Sequence, residues 1–250
     1  MSEPILEVSG LRKRFGGYTA LDGIDLAVAP GERLGLIGPN GSGKSTFTNC
    51  LCGTLPTDGG QIRFEGRPLD GFPAHERARL GIGRSFQLPR PFHSLTLAEN
   101  LRIPFIYTVN ARGTGPKGAG HMSGAEMWRR GDELLGHFGL AAKANRLPRD
   151  LTQVEMRKLE LARAMATNPK LLIADEAMAG LSSSECDEIL TLLFELNQQG
   201  VSIIFIEHIM RVVMAFSQRL AVLVAGRKIA DGKPADVIAD AQVVGAYLGE

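Results

Sequence analysis

The sequence predicts an α/β fold with a mostly parallel sheet, an antiparallel β part near its N-terminus and a helical insert. Three observations predict it. Continuously apolar runs, Leu171 to Ala174 and Val201 to Ile206, alternate with helical patterns, which is how strands covered on both faces read. Residues 4–30 alternate apolar with polar instead, in the manner of antiparallel strands. Composition then changes at Leu88 to Pro91, a proline-rich stretch that opens a region of helical periodicity. The 250 residues suffice for one large domain with a subdomain. The expected division is a single domain over 1–250, its core drawn from 1–87 and 164–250 with the antiparallel β parts, and a helical subdomain over 88–163.

In chain order, Ile5 to Val8 and Leu21 to Val28 read as strands, with Arg12 to Tyr18 between them. Pro30-Gly31 turns the chain into a short apolar strand, Arg33 to Ile37. The next stretch is Gly38-Pro39-Asn40-Gly41-Ser42-Gly43-Lys44-Ser45-Thr46, followed by the first turns of a helix. Gly38, Gly43, Lys44 and Ser45 complete the G-x-x-x-x-G-K-[ST] phosphate-binding pattern between the strand and helix it requires. The core is therefore expected to be of the P-loop NTPase type. Glycines let backbone N–H groups curl around a phosphate, and the helix N-terminus adds partial positive charge. Lys44 supplies a mobile charge for the outer phosphates, and Ser45 a hydroxyl for Mg²⁺.

Gln61 to Phe64 and Gly66 to Leu69 form a predicted hairpin, and Gly81 to Phe86 a further strand ending at Gln87. Leu97 to Ile103 begins a helix, Thr108 to Gly120 reads as a mobile Gly-rich loop, and Glu126 to Phe138 as an amphipathic helix carrying Trp128. A helix over Ser184 to Gln198 separates the two apolar strands. From Arg219 the chain returns to hairpin chemistry and a short final helix.

Charge is nearly balanced at +1, with 28 basic and 27 acidic residues, which argues against a broad nucleic-acid-binding face. No apolar run reaches transmembrane length and the N-terminus lacks a signal-peptide core. The expectation is a cytosolic chain that meets a membrane only through a partner. Cys50, Cys52 and Cys186 lack metal-ligand spacing and read as buried thiols of a reducing compartment.

Asp175 and Glu176 end a buried strand, and in open α/β sheets ligands sit beyond the C-terminal strand ends. The first carboxylate suits Mg²⁺, and the second suits the water that attacks a γ-phosphate. A pair of helix N-cap acids is the alternative. Gln87 and His208 each follow a predicted core strand. Singly they are unremarkable; their order with the phosphate loop and the acid pair carries the information.

In that order the residues resemble the nucleotide-binding subunit of an ATP-binding cassette (ABC) transporter, along essentially the whole chain. The resemblance implies that Phe15 stacks on adenine, that Gln87 touches Mg²⁺ and the membrane subunit, and that His208 contacts the γ-phosphate. It makes Ala179-Gly180-Leu181-Ser182 the D-loop. The strings RFGG (Arg14 to Gly17), RSFQ (Arg84 to Gln87), LTLAENL (Leu95 to Leu101), AGL (Ala179 to Leu181), IEH (Ile206 to His208) and the ending AYLGE (Ala246 to Glu250) resemble one branch: the ATPases of branched-chain amino acid, urea and amide importers. That branch implies ATP and Mg²⁺ as cofactors and a peripheral position on the cytoplasmic face of the inner membrane. Its implied partners are transmembrane permease subunits, a second ATPase subunit in a hetero- or homodimer, and indirectly a substrate-binding protein.

The family signature L-S-G-G-Q departs here. The aligned stretch is Leu151-Thr152-Gln153-Val154-Glu155, which lacks both glycines, and Ala177 stands where the family usually has proline. The signature presents a hydroxyl, backbone N–H groups and a helix N-terminus to the γ-phosphate held by the opposite subunit. Thr152 keeps the hydroxyl and Glu155 a polar group, while Val154 puts a Cβ where close approach is needed. Tolerated drift and a weakened trans-acting surface both stay open. The function expected is a transport ATPase. The alternatives are a soluble ABC ATPase or a nucleotide-binding assembly subunit that scarcely hydrolyses.

Overall fold

The computed structural model describes residues 3–86, 88–112 and 122–248. In chain order the elements are β1 (Leu6–Phe15), β2 (Tyr18–Val28), β3 (Arg33–Ile37), α1 (Lys44–Leu51), β4 (Gly59–Phe64), β5 (Arg67–Pro68), α2 (Ala74–Leu80), β6 (Ile82–Ser85) and α3 (Leu97–Pro104). They continue with α4 (Asn110–Arg112), α5 (Gly124–His137), α6 (Gln153–Met165), β7 (Leu171–Asp175), α7 (Ser183–Gln198) and β8 (Ser202–Ile206). The last are α8 (Met210–Phe216), β9 (Arg219–Val224), β10 (Arg227–Gly232), α9 (Pro234–Ile238) and α10 (Ala241–Leu248). The chain divides into two compact units, one of residues up to Arg77 together with those from Phe194 onward, the other of Ala78–Leu193.

In the first unit one antiparallel sheet runs in the order β2-β1-β4-β5, and a second group of strands in the order β10-β9-β3-β8. β3 is parallel to both of its neighbours, with Leu34 opposite Ile204 on one side and Arg219 on the other. β8 is buried at every position, as its continuous apolar run requires. β1 alternates buried and exposed residues, as a strand with one wet face should. β1 and β2 are longer than the alternation suggested. The segment read as lying between them is strand up to a tight turn at Gly16-Gly17, with Phe15 opposite Tyr18. Register shifts between Val8 and Arg14 account for the miss, because each bulge resets the two-residue period on which such a reading relies.

In the second unit β6 and β7 pair in parallel, Ile82 opposite Leu171, and β7 is buried throughout. The helices of this unit include α3, α5 and α6. Thr96 starts α3 with a full capping box, its hydroxyl accepting from the Glu99 N–H while the Glu99 carboxylate accepts from the Thr96 N–H. The loop expected over Thr108 to Gly120 begins as helix. Pro104 ends the regular hydrogen-bond ladder of α3, a π-turn covers Phe105–Val109, and α4 follows. The buried Asn110 amide holds this end by donating to the Met122 carbonyl at 3.2 Å and accepting from the Met122 N–H at 2.9 Å. Residues 113–120 of that expected loop lie outside the described residues.

All three cysteines are buried and unbridged, and burial pushes the Cys50 thiol up to about 11. Cys50 belongs to α1, whose far end is closed by an arginine. The buried Arg77 donates to the carbonyls of Cys50 and Leu51 at 2.8 and 2.9 Å, and to those of Phe72 and Leu69 at 2.8 and 3.0 Å. A cation on the last carbonyls of a helix offsets the negative end of its dipole. Arg77→Met would leave four carbonyls without this donor. It is expected to cost about 3 kcal/mol of unfolding free energy, since the Leu51 and Phe72 carbonyls lose this donor while those of Cys50 and Leu69 keep the N–H groups of Gly53 and Phe72. An unchanged denaturant midpoint would rule that role out.

Candidate nucleotide-binding site

The phosphate loop joins the end of β3 to α1. Its two defining glycines are there for space and backbone angle. Gly38 has φ 154° and Gly43 φ 105°, and a Cβ would lie 2.1 Å from the Leu223 carbonyl oxygen at the first and 2.7 Å from that of Ala20 at the second. α1 starts on Gly43 with no side-chain cap and with no acidic residue in its first turn. Its first N–H groups are therefore offered to whatever anion enters the loop. The Lys44 ammonium folds into its own loop, donating to the carbonyls of Gly38 at 2.6 Å and Pro39 at 3.1 Å. Asn40, Gly41 and Ser45 are exposed and Thr46 is half-buried, whereas Ser42 is packed inside the loop.

Phe15 and Tyr18 face each other across the hairpin turn, and their rings are 49% and 57% exposed, so both offer an open aromatic face. Tyr18 was not singled out from the sequence. Its hydroxyl lies 3.5 Å from the carbonyl oxygen of Gly41, which ties the hairpin tip to the phosphate loop. The signal available was a second aromatic just past Gly16-Gly17. His208 follows β8, which is parallel to β3 with Ile206 opposite Leu36, so His208 and the phosphate loop extend from the same ends of neighbouring strands. Its imidazole is exposed, with Nδ1 3.9 Å from a carboxylate oxygen of the buried Glu207.

The second unit holds the acid pair. Asp175 is the last residue of β7 and buried. Glu176, half-buried, takes φ 48°, a left-handed conformation unusual for a residue with a side chain. Such backbone angles persist where the surrounding structure over-determines them, and they gather at functional turns. The N-cap alternative for this pair has a competitor, because the next helix is begun by Ser182. The Ser182 N–H and hydroxyl both donate to the Glu185 carboxylate, at 2.8 and 2.7 Å.

The segment aligned with the signature starts α6. Thr152 is its N-cap, and the capping box is complete: the Thr152 hydroxyl accepts from the Glu155 N–H, and the Glu155 carboxylate accepts from the Thr152 N–H at 2.8 Å. The same carboxylate accepts from Lys143 Nζ at 2.7 Å. That lysine, then the Thr152 N–H, holds the Glu155 carboxyl below its ordinary range, so the group carries full negative charge at neutral pH. Val154 sits in the same first turn. Gln153 and Arg157 of α6 both donate to the carbonyl of Ala179, at 3.4 and 3.1 Å, which anchors the Ala179–Ser182 turn to this helix. Neither residue was singled out from the sequence, since the contact joins segments far apart in the chain.

Thus the first unit carries Phe15, the phosphate loop with Lys44 and Ser45, and His208; the second carries Asp175, Glu176, Thr152, Val154 and Glu155. Gln87 lies outside the described residues. Mg²⁺ takes hard oxygen donors from one or two side chains, completed by phosphate and water. The Ser45 hydroxyl and the Asp175 carboxylate are donors of that kind. Among the described residues no cluster of three or more His, Cys, Asp or Glu provides an all-protein cage.

A family described as ABC transporter matches residues 21–179. The chain belongs to the ABC transporter ATP-binding family. A second family, the branched-chain amino acid ATP-binding cassette transporter, matches residues 227–250. The cassette is 39% identical, over the full length of both chains, to the high-affinity branched-chain amino acid transport ATP-binding protein BraF of Pseudomonas aeruginosa. It also resembles the crystal structure of the ADP conformation of an ATP-binding cassette of an ABC transporter, with a TM-score of 0.87 and 32% identity over all of both chains. A dimeric cassette in a post-hydrolysis state bound to ADP and Pi matches with a TM-score of 0.79 and 27% identity, covering 92% of this chain and 98% of that one. The expected α/β fold with its antiparallel β part and largely parallel strands is the fold of these cassettes.

The contrast between the two helix starts is testable in the isolated cassette. Thr152→Ala is expected to cost about 1 kcal/mol of stability, the usual worth of a side-chain cap. Ser45→Ala is expected to cost little, because the start of α1 has no side-chain cap to lose. Chemical denaturation of the two variants beside the parent checks both values.

Proposed function

We propose that this chain is the ATP-hydrolysing subunit of an importer complex at the cytoplasmic face of the inner membrane. Its cargo would be branched-chain or other amino acids, or related small amides, handed over by a separate substrate-binding protein to transmembrane permease subunits. The observation that carries this is the end-to-end likeness to branched-chain amino acid cassettes, together with a phosphate loop whose helix start is uncapped. No helix of the described residues is long and apolar enough to cross a membrane, so on this reading attachment runs through the permease. The stretch after Gln87 suits such docking: Leu88 is 72% exposed and Phe92 42% exposed. The helical subdomain, residues 88–163, carries that stretch.

In this reading ATP lies with its base against Phe15 and its phosphates over Gly38 to Thr46. Lys44 exchanges its carbonyl partners in the loop for the outer phosphates. Ser45, Asp175 and Gln87 are the residues that would hold Mg²⁺, which when bound would neutralise phosphate charge. Glu176 orients and polarises the attacking water, and His208 contacts the γ-phosphate. Glu176→Gln is then expected to keep ATP binding and lose turnover in the assembled complex. Lys44→Ala is expected to weaken nucleotide binding as well, because it removes charge on the phosphates. Binding of a fluorescent ATP analogue and phosphate release, measured on each variant, separate the two effects.

Thr152, Val154 and Glu155 would face the ATP held by the second ATPase subunit. The capping box already occupies the Thr152 hydroxyl and N–H at the start of α6, with the Glu155 carboxylate paired to Lys143, so fewer donors are left for that phosphate. This observation favours a second reading for the partner's nucleotide, which would be held but turned over slowly. A lost preorganised donor to a developing charge costs on the order of a hundredfold in rate. In a heterodimer whose other subunit has an ordinary signature, Glu176→Gln in this chain should therefore harm total ATPase more than the equivalent change in the partner. Glu155→Gln together with Val154→Gly should raise turnover at the partner's site. Equal losses from the two acid mutations and no gain from the restored signature would show that the change is drift. A homodimer would instead have two equally handicapped sites.

A further inference from the structure

Asp175 already has a cation beside it. Arg84, in β6, donates from Nη2 to Oδ2 of Asp175 at 2.7 Å, and the two side chains are 14% and 9% exposed. The pairing follows from strand register. Arg84 stands opposite Ile173 across the parallel β6–β7 pair, so Asp175 is two positions further along and projects from the same face. A long side chain spans that diagonal. The Arg84 guanidinium also lies 5.1 Å from the centroid of the Phe86 ring, within the range of a cation–π contact.

We propose that Arg84 is the resident counter-ion of Asp175 and competes with the divalent cation for its carboxylate. This rests on the reading of Asp175 as the acid on the metal side. A guanidinium and a divalent cation both seek the same carboxylate oxygens, and Oδ2 is the one Arg84 occupies. Without the metal, Arg84 keeps a buried carboxylate neutralised, which a strand end of this kind requires. With the metal, Arg84 yields Oδ2 and retains the Phe86 ring as its partner. Arg84 is thus a positioning residue that sets the metal concentration at which Asp175 becomes available.

The test is a Mn²⁺ titration of the purified chain with saturating ATP, read by the paramagnetic resonance of free Mn²⁺, with thermal unfolding of each variant measured alongside. Arg84→Gln is expected to lower the half-saturating Mn²⁺ on the order of tenfold, the worth of one charge-assisted hydrogen bond. Arg84→Lys, which keeps charge but loses the planar fork, is expected to fall between Arg84→Gln and the parent. If Arg84→Gln does not fold, the shift in Arg84→Lys carries the test alone. Unchanged or raised half-saturation in the folded variants overturns the proposal, even if their melting temperatures fall, because the pair is then purely structural. Asp175→Asn separates the premise from the proposal. Unchanged Mn²⁺ binding in that variant removes the reading of Asp175 itself, whereas weakened binding there with no shift at Arg84 defeats only the competition.

Discussion

The start of α1 is a helix N-terminus that the chain leaves without a side-chain cap, and the proposed nucleotide site of the first unit depends on it. Four orphan N–H groups and the positive end of a dipole are an unmet electrostatic demand. Most helices meet that demand with a serine, threonine or acid; α1 begins on Gly43 and meets it with nothing of its own. The surroundings hold this unmet state in place. β3 feeds the loop from between β8 and β9, glycines at 38 and 43 admit backbone where a Cβ would collide, and Arg77 closes the opposite end. In the proposed function, the free energy withheld from capping is what a bound phosphate would gain.

The start of α6 shows the same physics resolved the other way. Thr152 and Glu155 satisfy the first N–H groups reciprocally, and Lys143 pins the carboxylate as an anion. A glutamine in place of Glu155 would cap with similar geometry and no charge. The difference between the two helix starts is thus one of satisfied against open N–H groups, because the Glu155 charge at α6 is offset by Lys143 while its cap is complete. If α6 faces a nucleotide across a dimer, as proposed, this gain in local stability comes at the expense of what the helix can offer there. The asymmetric reading of the two nucleotide sites has this physical basis.

Much of the candidate site could be proposed from the chain because its signals are short and local. The loop from Gly38 to Thr46 couples spacing directly to anion geometry, and Asp175-Glu176 is marked by the apolar strand that ends there. The antiparallel hairpin was read too short because its bulges break the alternation that identifies strands. The helical turns over Thr108 to Arg112 were missed because the glycine-rich residues that follow them made the whole stretch from Thr108 to Gly120 read as a loop. Asn110 stabilises them by pairing with Met122, a contact no local pattern announces.

By itself, then, the sequence determined the fold class and the places of the glycine loop between β3 and α1 and of the acids at the end of β7, since each depends on residues within a few positions of one another. Only the tertiary structure decided which side chains those groups meet. Arg84 and Asp175 are 91 residues apart in the chain, and register between two buried strands makes them partners. Tyr18 nears Gly41 because a hairpin tip lies beside the loop. Lys143 reaches Glu155, turning a conservative-looking cap into a fixed charge. Local geometry follows from local sequence through steric and propensity rules. Long-range ion pairs follow from register and packing, which many residues set together and no short stretch encodes.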